Sequence, residues 1–284
     1  MDMIYKVILK RIDNIFMKIF SFSIINLVTK IKKIFIYTNY DSSEYWKKRA
    51  KEPGQAAVLW KNQEYNNLYR KLEFNLLKKF LPKTINEPFY ILDIGCGIGI
   101  VSKFLVENYP LAYVDAVDFQ EMIEIARQKN FHERINYISS EAENYFDECK
   151  KYDVVISSAC FSAIRNINRL KMAIENCSKM MKKNGIMIMI DPFHKWSYLA
   201  RAKISSNEII ILLESLGFKL IYKSGVLFWP YREWLANSNY YGKDLERKFF
   251  QGEKLLGLLG KHFWADYKVL VFQNLIILHN FANE

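Results

Sequence analysis

A carboxylate followed by three alternate glycines is the segment of this chain best suited to hold a ligand. Residues 93–99 read Asp-Ile-Gly-Cys-Gly-Ile-Gly and lie at the end of the mostly apolar run Phe89–Ile94, which predicts a buried strand. Gly95, Gly97 and Gly99 allow a tight turn from strand to helix and let a ligand approach the backbone closely. The helix after such a turn directs free backbone N–H groups at that ligand.

Two classes of ligand are bound by turns of this kind. A dinucleotide pyrophosphate requires a small residue where this chain has Ile100, and Asp93, two residues before the first glycine, would repel it. The same carboxylate suits a cationic ligand. An NAD-dependent dehydrogenase is therefore disfavoured, while a turn with a purely structural role stays an alternative.

Apolar strand-like runs alternate with helical periodicity through much of the chain. We predict helices at 63–80, 120–129 and 168–182, and strands at 89–94, 112–118, 134–139, 152–157 and 185–191. This alternation predicts an α/β fold with a parallel sheet and right-handed crossovers. Ligands of such sheets lie beyond the carboxyl ends of the strands, so the residue that follows each strand is a candidate for the site.

The second predicted strand ends at Asp118, which lies 19 residues after Gly99. A carboxylate at that position can accept both hydrogen bonds of a ribose diol, and Phe119 can lie against an adenine face. Both residues therefore favour a nucleoside ligand without choosing among nucleosides. The alternative is that Asp118 caps the helix at 120–129, a role that is compatible with ligand binding.

Five motifs, in their order along residues 89–191, resemble those of class I S-adenosylmethionine (SAM)-dependent methyltransferases. They are the glycine turn at 93–99, Val117-Asp118, Glu141-Ala142, Tyr-Asp-Val-Val at 152–155, and Asn184-Gly185. The resemblance implies a Rossmann-like, seven-stranded, mostly parallel sheet with an antiparallel last strand. Its sixth and seventh strands would be 218–229 and 267–279.

The resemblance also implies SAM as the cofactor and a role for each matching residue. Asp93 would face the methionine ammonium, and the turn of Gly95, Gly97 and Gly99 would let the cofactor approach. Asp118 would hold the ribose. The other implied contacts are the adenine with Phe119, Glu141 and Ala142, the methyl-transfer point with Ser157, and the methionine carboxylate with Tyr45 or Arg49.

One histidine follows the fifth predicted strand, in the stretch Asp191-Pro192-Phe193-His194. His194 is the candidate general base for an acceptor hydroxyl, and the alternative is a histidine that only packs. DNA amino-methyltransferases carry a related D/N-P-P-Y/F motif after strand four. The stretch here follows strand five and lacks the second proline, so DNA is disfavoured as a substrate.

The chain divides into three predicted parts: a basic amphipathic helical extension at 1–40, a helical cap at 41–88, and a methyltransferase domain at 89–284. The longest uncharged run of the extension has 11 residues, too few to span a bilayer. Its apolar stripe with flanking lysines fits an anionic membrane surface, or alternatively packing on protein. Within the domain, residues 230–264 form an aromatic insertion that we expect to line the acceptor pocket.

Charge and cysteine content bound the function further. The formal net charge is +11 at pH 7, and the four cysteines are scattered without a C-x-x-C pair. The cysteine pattern predicts neither a metal site nor a disulfide framework and suits a reducing cytosol. We therefore predict a cytoplasmic protein, peripheral on the cytoplasmic membrane face if the extension binds lipid. No oligomeric state is predicted.

We predict a SAM-dependent methyltransferase that transfers a methyl group to a small-molecule, lipid-linked or saccharide acceptor at oxygen. An RNA methyltransferase is the first alternative, motivated by the charge of +11. It is disfavoured because the basic residues are spread along the chain and no appended RNA-binding module is evident. The second alternative is a non-catalytic SAM-binding subunit at a membrane, which would bind SAM without turnover.

Overall fold

The computed structural model describes residues 43–83, 86–195 and 204–275, so the extension at 1–40 lies outside the described residues. Within these ranges the strands form one sheet: β1 (Phe89–Ile94), β2 (Ala112–Asp118), β3 (Ile135–Ser139), β4 (Tyr152–Ser158), β5 (Met181–Asp191), β6 (Phe218–Phe228) and β7 (Ala265–Asn274).

The described helices alternate with these strands through the first half of the fold and cluster near its end. They are α1 (Ser43–Arg49), α2 (Gln63–Phe80), α3 (Ile100–Asn108), α4 (Gln120–Lys129), α5 (Ile167–Lys179), α6 (Ser206–Ser215), α7 (Trp229–Leu235), α8 (Gly242–Leu259) and α9 (Lys261–Trp264). Two short 3₁₀ turns lie at Gly54–Ala57 and Phe161–Ala163.

The strand order of the sheet is β3-β2-β1-β4-β5-β7-β6. Strands β1 to β5 pair in parallel, whereas β7 is antiparallel to both of its neighbours, β5 and β6. This topology confirms the predicted α/β sheet of seven strands with an antiparallel last strand. The order reverses between β1 and β4, and ligands of open α/β sheets bind beside such a reversal, at the carboxyl ends of the strands.

The central strands are apolar along most of their length because helices cover both faces of the sheet. Ile91, Leu92 and Ile94 of β1 are fully buried, and so are Val155 and Ile156 of β4. Alternate residues of β1 therefore join two separate cores, one on each face of the sheet. The sheet consequently provides a rigid frame that can hold a site in place at the carboxyl ends of its strands.

The predicted start of the fifth strand is wrong. The strand begins at Met181 instead of residue 185, and α5 ends at Lys179 instead of residue 182. Met181 pairs with Tyr152, and the register then shifts before the regular ladder begins. Gly185 lies within this irregularity, where an added Cβ would come 2.9 Å from the carbonyl oxygen of Lys182. The glycine thus marks an irregular strand segment, not a turn before the strand.

The insertion between β6 and β7 is helical and consists of α7, α8 and α9. It packs on α2 through the rings of Tyr65 and Phe249, whose centroids are 5.2 Å apart. At Gly252 an added Cβ would lie 2.8 Å from the Tyr231 side chain, so glycine permits the close contact of α7 with α8. In the described part of the chain, no helix combines the length and apolar character that a bilayer span requires.

Candidate functional site

A cleft that is open to solvent lies at the carboxyl ends of β1, β2 and β4. The glycine turn after β1 contributes Gly95 and Gly97, and the strand ends contribute Asp118 and Ser158. Arg70 of α2 closes one side. The structure therefore places the sequence-predicted turn and the end of β2 in one cavity.

All three glycines of the turn have left-handed backbones, with φ of 75°, 58° and 80° at Gly95, Gly97 and Gly99. This conformation is the one that side chains disfavour, which explains the residue type. At Gly95 there is also no room, because an added Cβ would lie 2.3 Å from the Cβ of Cys160. The turn is thus held tightly against the segment that follows β4.

We expect Gly95→Ala to lower the free energy of unfolding by about 3 kcal/mol, since backbone strain and a steric clash add together. Gly242→Ala is the matched control: Gly242 also has a left-handed φ, 56°, but its added Cβ would meet nothing within 4 Å. That control should lose only about 1 kcal/mol. Urea unfolding of both variants measures the difference, and equal losses would contradict the clash.

Asp118 connects the end of β2 to the glycine turn. One carboxylate oxygen accepts a hydrogen bond from the backbone N–H of Gly97 at 2.7 Å, and the other accepts from Phe119 N–H at 2.7 Å. Burial raises the pKa of this carboxyl to about 6, against the opposing effect of the two N–H donors. Phe119 is the N-cap of α4 and the cap has no side-chain bond, so Asp118 does not cap that helix. Its remaining lone pairs are available to a ligand in the cleft.

Asp93 lies deeper, with 1% of its surface exposed, and its carboxylate accepts a hydrogen bond from Ser102 Oγ at 2.6 Å. Its pKa is raised to about 7, mainly by burial and also by the nearby carboxylates of Glu73 and Asp118, while Ser102 and Arg70 oppose the shift. A cation placed beside Asp93 would stabilise its charged form. The cleft is therefore prepared for a positively charged group at this point.

The pKa shift of Asp93 predicts a pH dependence of stability. The native carboxyl holds its proton up to about pH 7, whereas the unfolded one releases it near pH 4. The stabilisation that comes from the protonated Asp93 is fully present below the pKa of the unfolded carboxyl and is lost as the pH rises towards 7. The unfolding free energy of Asp93→Asn minus that of the wild type should therefore rise by up to about 1.4 kcal/mol per pH unit and level off above pH 7.

Urea unfolding between pH 4 and 8 measures this difference. Glu148→Gln changes the charge equally at an exposed position and should give a flat difference. A flat profile for Asp93→Asn as well would contradict the buried, protonated carboxyl.

Arg70 is one of the site residues that sequence reasoning missed. It lies on α2 and lines the cleft, and its Nη1 forms an ion pair with the buried carboxylate of Glu73. Its Nε is buried without a hydrogen-bond partner. Glu73 in turn is hydrogen-bonded to Ser158 Oγ at the end of β4. An Arg–Glu pair three residues apart on a predicted helix was the available signal, but it does not reveal which way the helix faces.

The segment after β3 contributes a different acid from the one expected. Glu143 is 4% exposed, lines the cleft and forms an ion pair with Arg169, which also lines it. The Glu141 side chain is 41% exposed, accepts a hydrogen bond from Asn144 Nδ2 at 2.9 Å and does not line the cleft. Ala142 does line it. An adenine contact of Glu141 stays a prediction, and Glu143 is a second candidate.

The two N-terminal candidates lie outside the cleft lining, and their neighbour Trp46 is inside it. Arg49 uses its guanidinium to hold the 3₁₀ turn at Gly54–Ala57: Nε donates to the Ala57 carbonyl at 3.4 Å, and Nη2 donates to the carbonyl of Leu59 at 2.5 Å. The Tyr45 ring meets Trp46 edge-on, with centroids 5.1 Å apart. A contact of Tyr45 or Arg49 with a carboxylate stays a prediction.

Ser157 and His194 also lie outside the lining. Ser157 is fully buried and donates to the Asp191 carboxylate at 2.8 Å, so it supports the sheet edge. His194 Nε2 lies 2.7 Å from the carbonyl oxygen of Asp266 and 3.6 Å from its carboxylate. Burial would raise the pKa of Asp266, but Arg232 and His194 lower it to about 2. A general-base role of His194 stays a prediction.

Across residues 43–83, 86–195 and 204–275, no group of three His, Cys, Asp or Glu residues could hold a metal ion. The charged groups of the cleft are instead the carboxylates of Asp93 and Asp118 at the strand ends, the guanidinium of Arg70 on α2, and the ion pair of Glu143 with Arg169. Such a set suits an organic ligand that carries a cation, a diol and an anion.

Comparisons with known proteins agree with this geometry. Residues 91–185 match the family described as "Methyltransferase domain". Over 125 residues the chain is 30% identical to a malonyl-[acyl-carrier protein] O-methyltransferase of Priestia megaterium, and the match covers 44% of this chain and 44% of that protein. The chain thus spans less than half the length of the curated relatives it matches.

Solved structures share the fold at low identity. N-methyltransferase NodS from Bradyrhizobium japonicum WM9, in complex with S-adenosyl-L-homocysteine, has a TM-score of 0.51 and 12% identity, covering 81% of this chain and 97% of that chain. The [4+2]-cyclase SpnF has a TM-score of 0.50 and 13% identity, covering 77% and 86%. With the domain match, these likenesses confirm the predicted resemblance to class I SAM-dependent methyltransferases.

Proposed function

We propose that this chain, which carries a class I SAM-dependent methyltransferase domain, binds SAM in the cleft and transfers its methyl group to an oxygen of a small-molecule, lipid-linked or saccharide acceptor. One observation carries the proposal: Asp93, Asp118 and Arg70 line one cleft together with the glycine turn. These groups correspond to the ammonium, ribose diol and carboxylate of SAM.

The residues fit this cofactor in charge and in unused bonding capacity. Each oxygen of Asp118 already accepts one N–H but can accept a ribose hydroxyl as well. Arg70 Nε has no partner in its buried position, and a carboxylate would supply one. An ammonium beside Asp93 would offset the burial that raises the pKa of this acid.

Bound SAM supplies a methyl group that its sulfonium has already activated. The protein's part is then to align the acceptor with that methyl group and to keep water out. Ser158 lies at the end of β4 in the cleft lining, hydrogen-bonded to Glu73 and 3.4 Å from the Tyr69 hydroxyl. These fixed polar groups mark the side of the cleft where we expect the acceptor oxygen.

Oxygen as the methylated atom is supported by the name of the relatives, malonyl-[acyl-carrier protein] O-methyltransferases. The acceptor of this chain belongs to the proposal, because the likeness covers less than half of those proteins. A fold of this kind also serves a cyclase, so the reaction has to be measured.

The test combines binding and turnover on the full chain. Calorimetry with S-adenosylhomocysteine (SAH) should show binding, and labelled SAM should transfer its methyl group to a member of a panel containing a carboxylated acyl thioester, a quinol, a saccharide and tRNA. Methylation of tRNA alone would favour the RNA alternative. SAH binding without turnover on any acceptor would favour a non-catalytic subunit. Absence of binding would overturn the proposal.

A further inference from the structure

The insertion carries an exposed apolar surface at 254–264, formed by the end of α8 and by α9. The exposed fractions are 37% for Leu255, 76% for Leu258, 52% for Leu259, 79% for Phe263 and 38% for Trp264. The leucines follow one another at three- and four-residue spacing, so they share one side of the helix. Soluble monomers seldom expose so many large apolar side chains together, which indicates that something covers this surface.

The opposite side of α8 accounts for its packing. Leu245, Phe249, Gly252 and Leu256 are buried against the body of the protein. The exposed leucines are therefore not required to attach the helix. Within the described residues, a large part of each of these side chains stays in water.

The tip of the 254–264 surface is held in a fixed position. Lys268 Nζ donates to the carbonyl oxygens of His262 at 2.7 Å, Phe263 at 3.2 Å and Ala265 at 2.8 Å. The ring of His262 is also anchored, since its Nε2 lies 3.0 Å from Ser206 Oγ. Phe263 is thus presented outward from an anchored turn, so its exposure does not result from a frayed helix end.

The charge of this surface is uniformly positive. Residues 254–264 read Lys-Leu-Leu-Gly-Leu-Leu-Gly-Lys-His-Phe-Trp and contain neither aspartate nor glutamate. Lys254 and Lys261 are both exposed and bracket the leucines. The preceding acid, Glu253, turns inward and accepts a hydrogen bond from Phe228 N–H at 3.2 Å. A partner with negative charge around an apolar interior is complementary to this arrangement.

We propose that the 254–264 surface inserts into the interface of an anionic lipid bilayer. Lysine is depleted from the centres of protein–protein interfaces, whereas lysine beside Leu, Phe and Trp is typical of helices that lie in a membrane interface. The lysine stems can cover apolar surface while their ammonium groups reach lipid phosphates. This role uses residues separate from the cleft and goes beyond methyl transfer.

Vesicle sedimentation of the full chain tests the proposal. The protein should pellet with phosphatidylcholine vesicles that contain phosphatidylserine, and less with phosphatidylcholine alone. Leu258→Ser/Phe263→Ser should weaken partitioning at least about tenfold, because two apolar side chains that would enter the bilayer are lost. Phe131→Ser is the matched control: Phe131 is 71% exposed elsewhere and its replacement should change nothing. SAH binding of all variants should equal that of the wild type, which separates this test from the cleft.

Tryptophan fluorescence distinguishes this surface from the basic extension, since residues 1–42 contain no tryptophan. Brominated anionic vesicles should quench the wild type, and Trp264→Phe should remove the quenched component. Unchanged partitioning of the double variant, or quenching that persists in Trp264→Phe, would overturn the proposal. A loss of self-association in the double variant without a loss of vesicle binding would assign the surface to a second copy of the chain and would also overturn it.

Discussion

Asp118→Ala is expected to weaken SAH binding about 100-fold. The carboxylate is the only group that we expect to hold the ribose, and hydrogen bonds to a charged acceptor contribute about 1.5–3 kcal/mol each. The same side chain also fixes the turn, through the N–H of Gly97 at 2.7 Å. The substitution therefore removes a ligand contact and loosens the backbone that the ligand approaches. Calorimetry on the purified full chain measures the change.

Asp153→Ala provides a matched control for this variant. Asp153 likewise accepts a hydrogen bond from a backbone N–H, that of Tyr90 at 2.9 Å, but it does not line the cleft. Its loss should affect stability and leave SAH affinity unchanged. If both variants lost affinity equally, the effect of Asp118→Ala would reflect damage to the sheet instead of a lost ribose contact.

The pH profile of SAH binding is a second test of the role of Asp118. Because its pKa is raised to about 6, wild-type affinity should fall as the pH drops below 6 and the carboxyl becomes protonated. The fall should be reduced in Asp118→Asn, which cannot ionise. An identical profile in the two proteins would assign the pH dependence to another group.

The parts of the fold that could be predicted are those that local sequence determines. β1 and β2 have the predicted bounds because each is a mostly apolar run with an acid at or next to its carboxyl end, Asp93 in β1 and Asp118 in β2. β5 could not be delimited in the same way. Asn184 and Gly185 have the composition of a turn, but pairing of Met181 with Tyr152 extends the strand through them. That pairing depends on a partner almost thirty residues away in the chain.

The site residues also divide into those that local sequence determines and those that it does not. The glycine turn and Asp118 come from contiguous strand–turn–helix segments, so spacing alone placed them at one edge of the sheet. Arg70 and Glu143 could not be found this way, because the rotation of α2 and of the loop after β3 is set by packing on the sheet. Arg49 is a candidate because of the resemblance: its guanidinium bonds to the carbonyls of Ala56, Ala57 and Leu59, and its contact with a ligand stays a prediction.

Arg70→Gln is expected to lower the affinity for SAH about 100-fold while leaving the affinity for 5′-methylthioadenosine unchanged. The second ligand has the adenosine and the sulfur but lacks the aminocarboxylate, so it never meets the guanidinium. Arg70 Nε is a buried donor without a partner, and a charge-assisted bond to a carboxylate would satisfy it. The comparison of the two ligands thus isolates one end of the cofactor.

Stability has to be followed in the same experiment, because Glu73 is 1% exposed and would lose its ion-pair partner. Removal of one member of a buried pair costs about 3–5 kcal/mol, so thermal unfolding should show a large loss in Arg70→Gln and a smaller one in Arg70→Lys. Arg127→Gln, which removes a guanidinium bonded to the Tyr137 carbonyl outside the cleft, controls for general effects. Equal loss of both ligands in folded Arg70→Gln would reduce Arg70 to a structural role, whereas selective loss of SAH would identify the group that holds the methionine carboxylate.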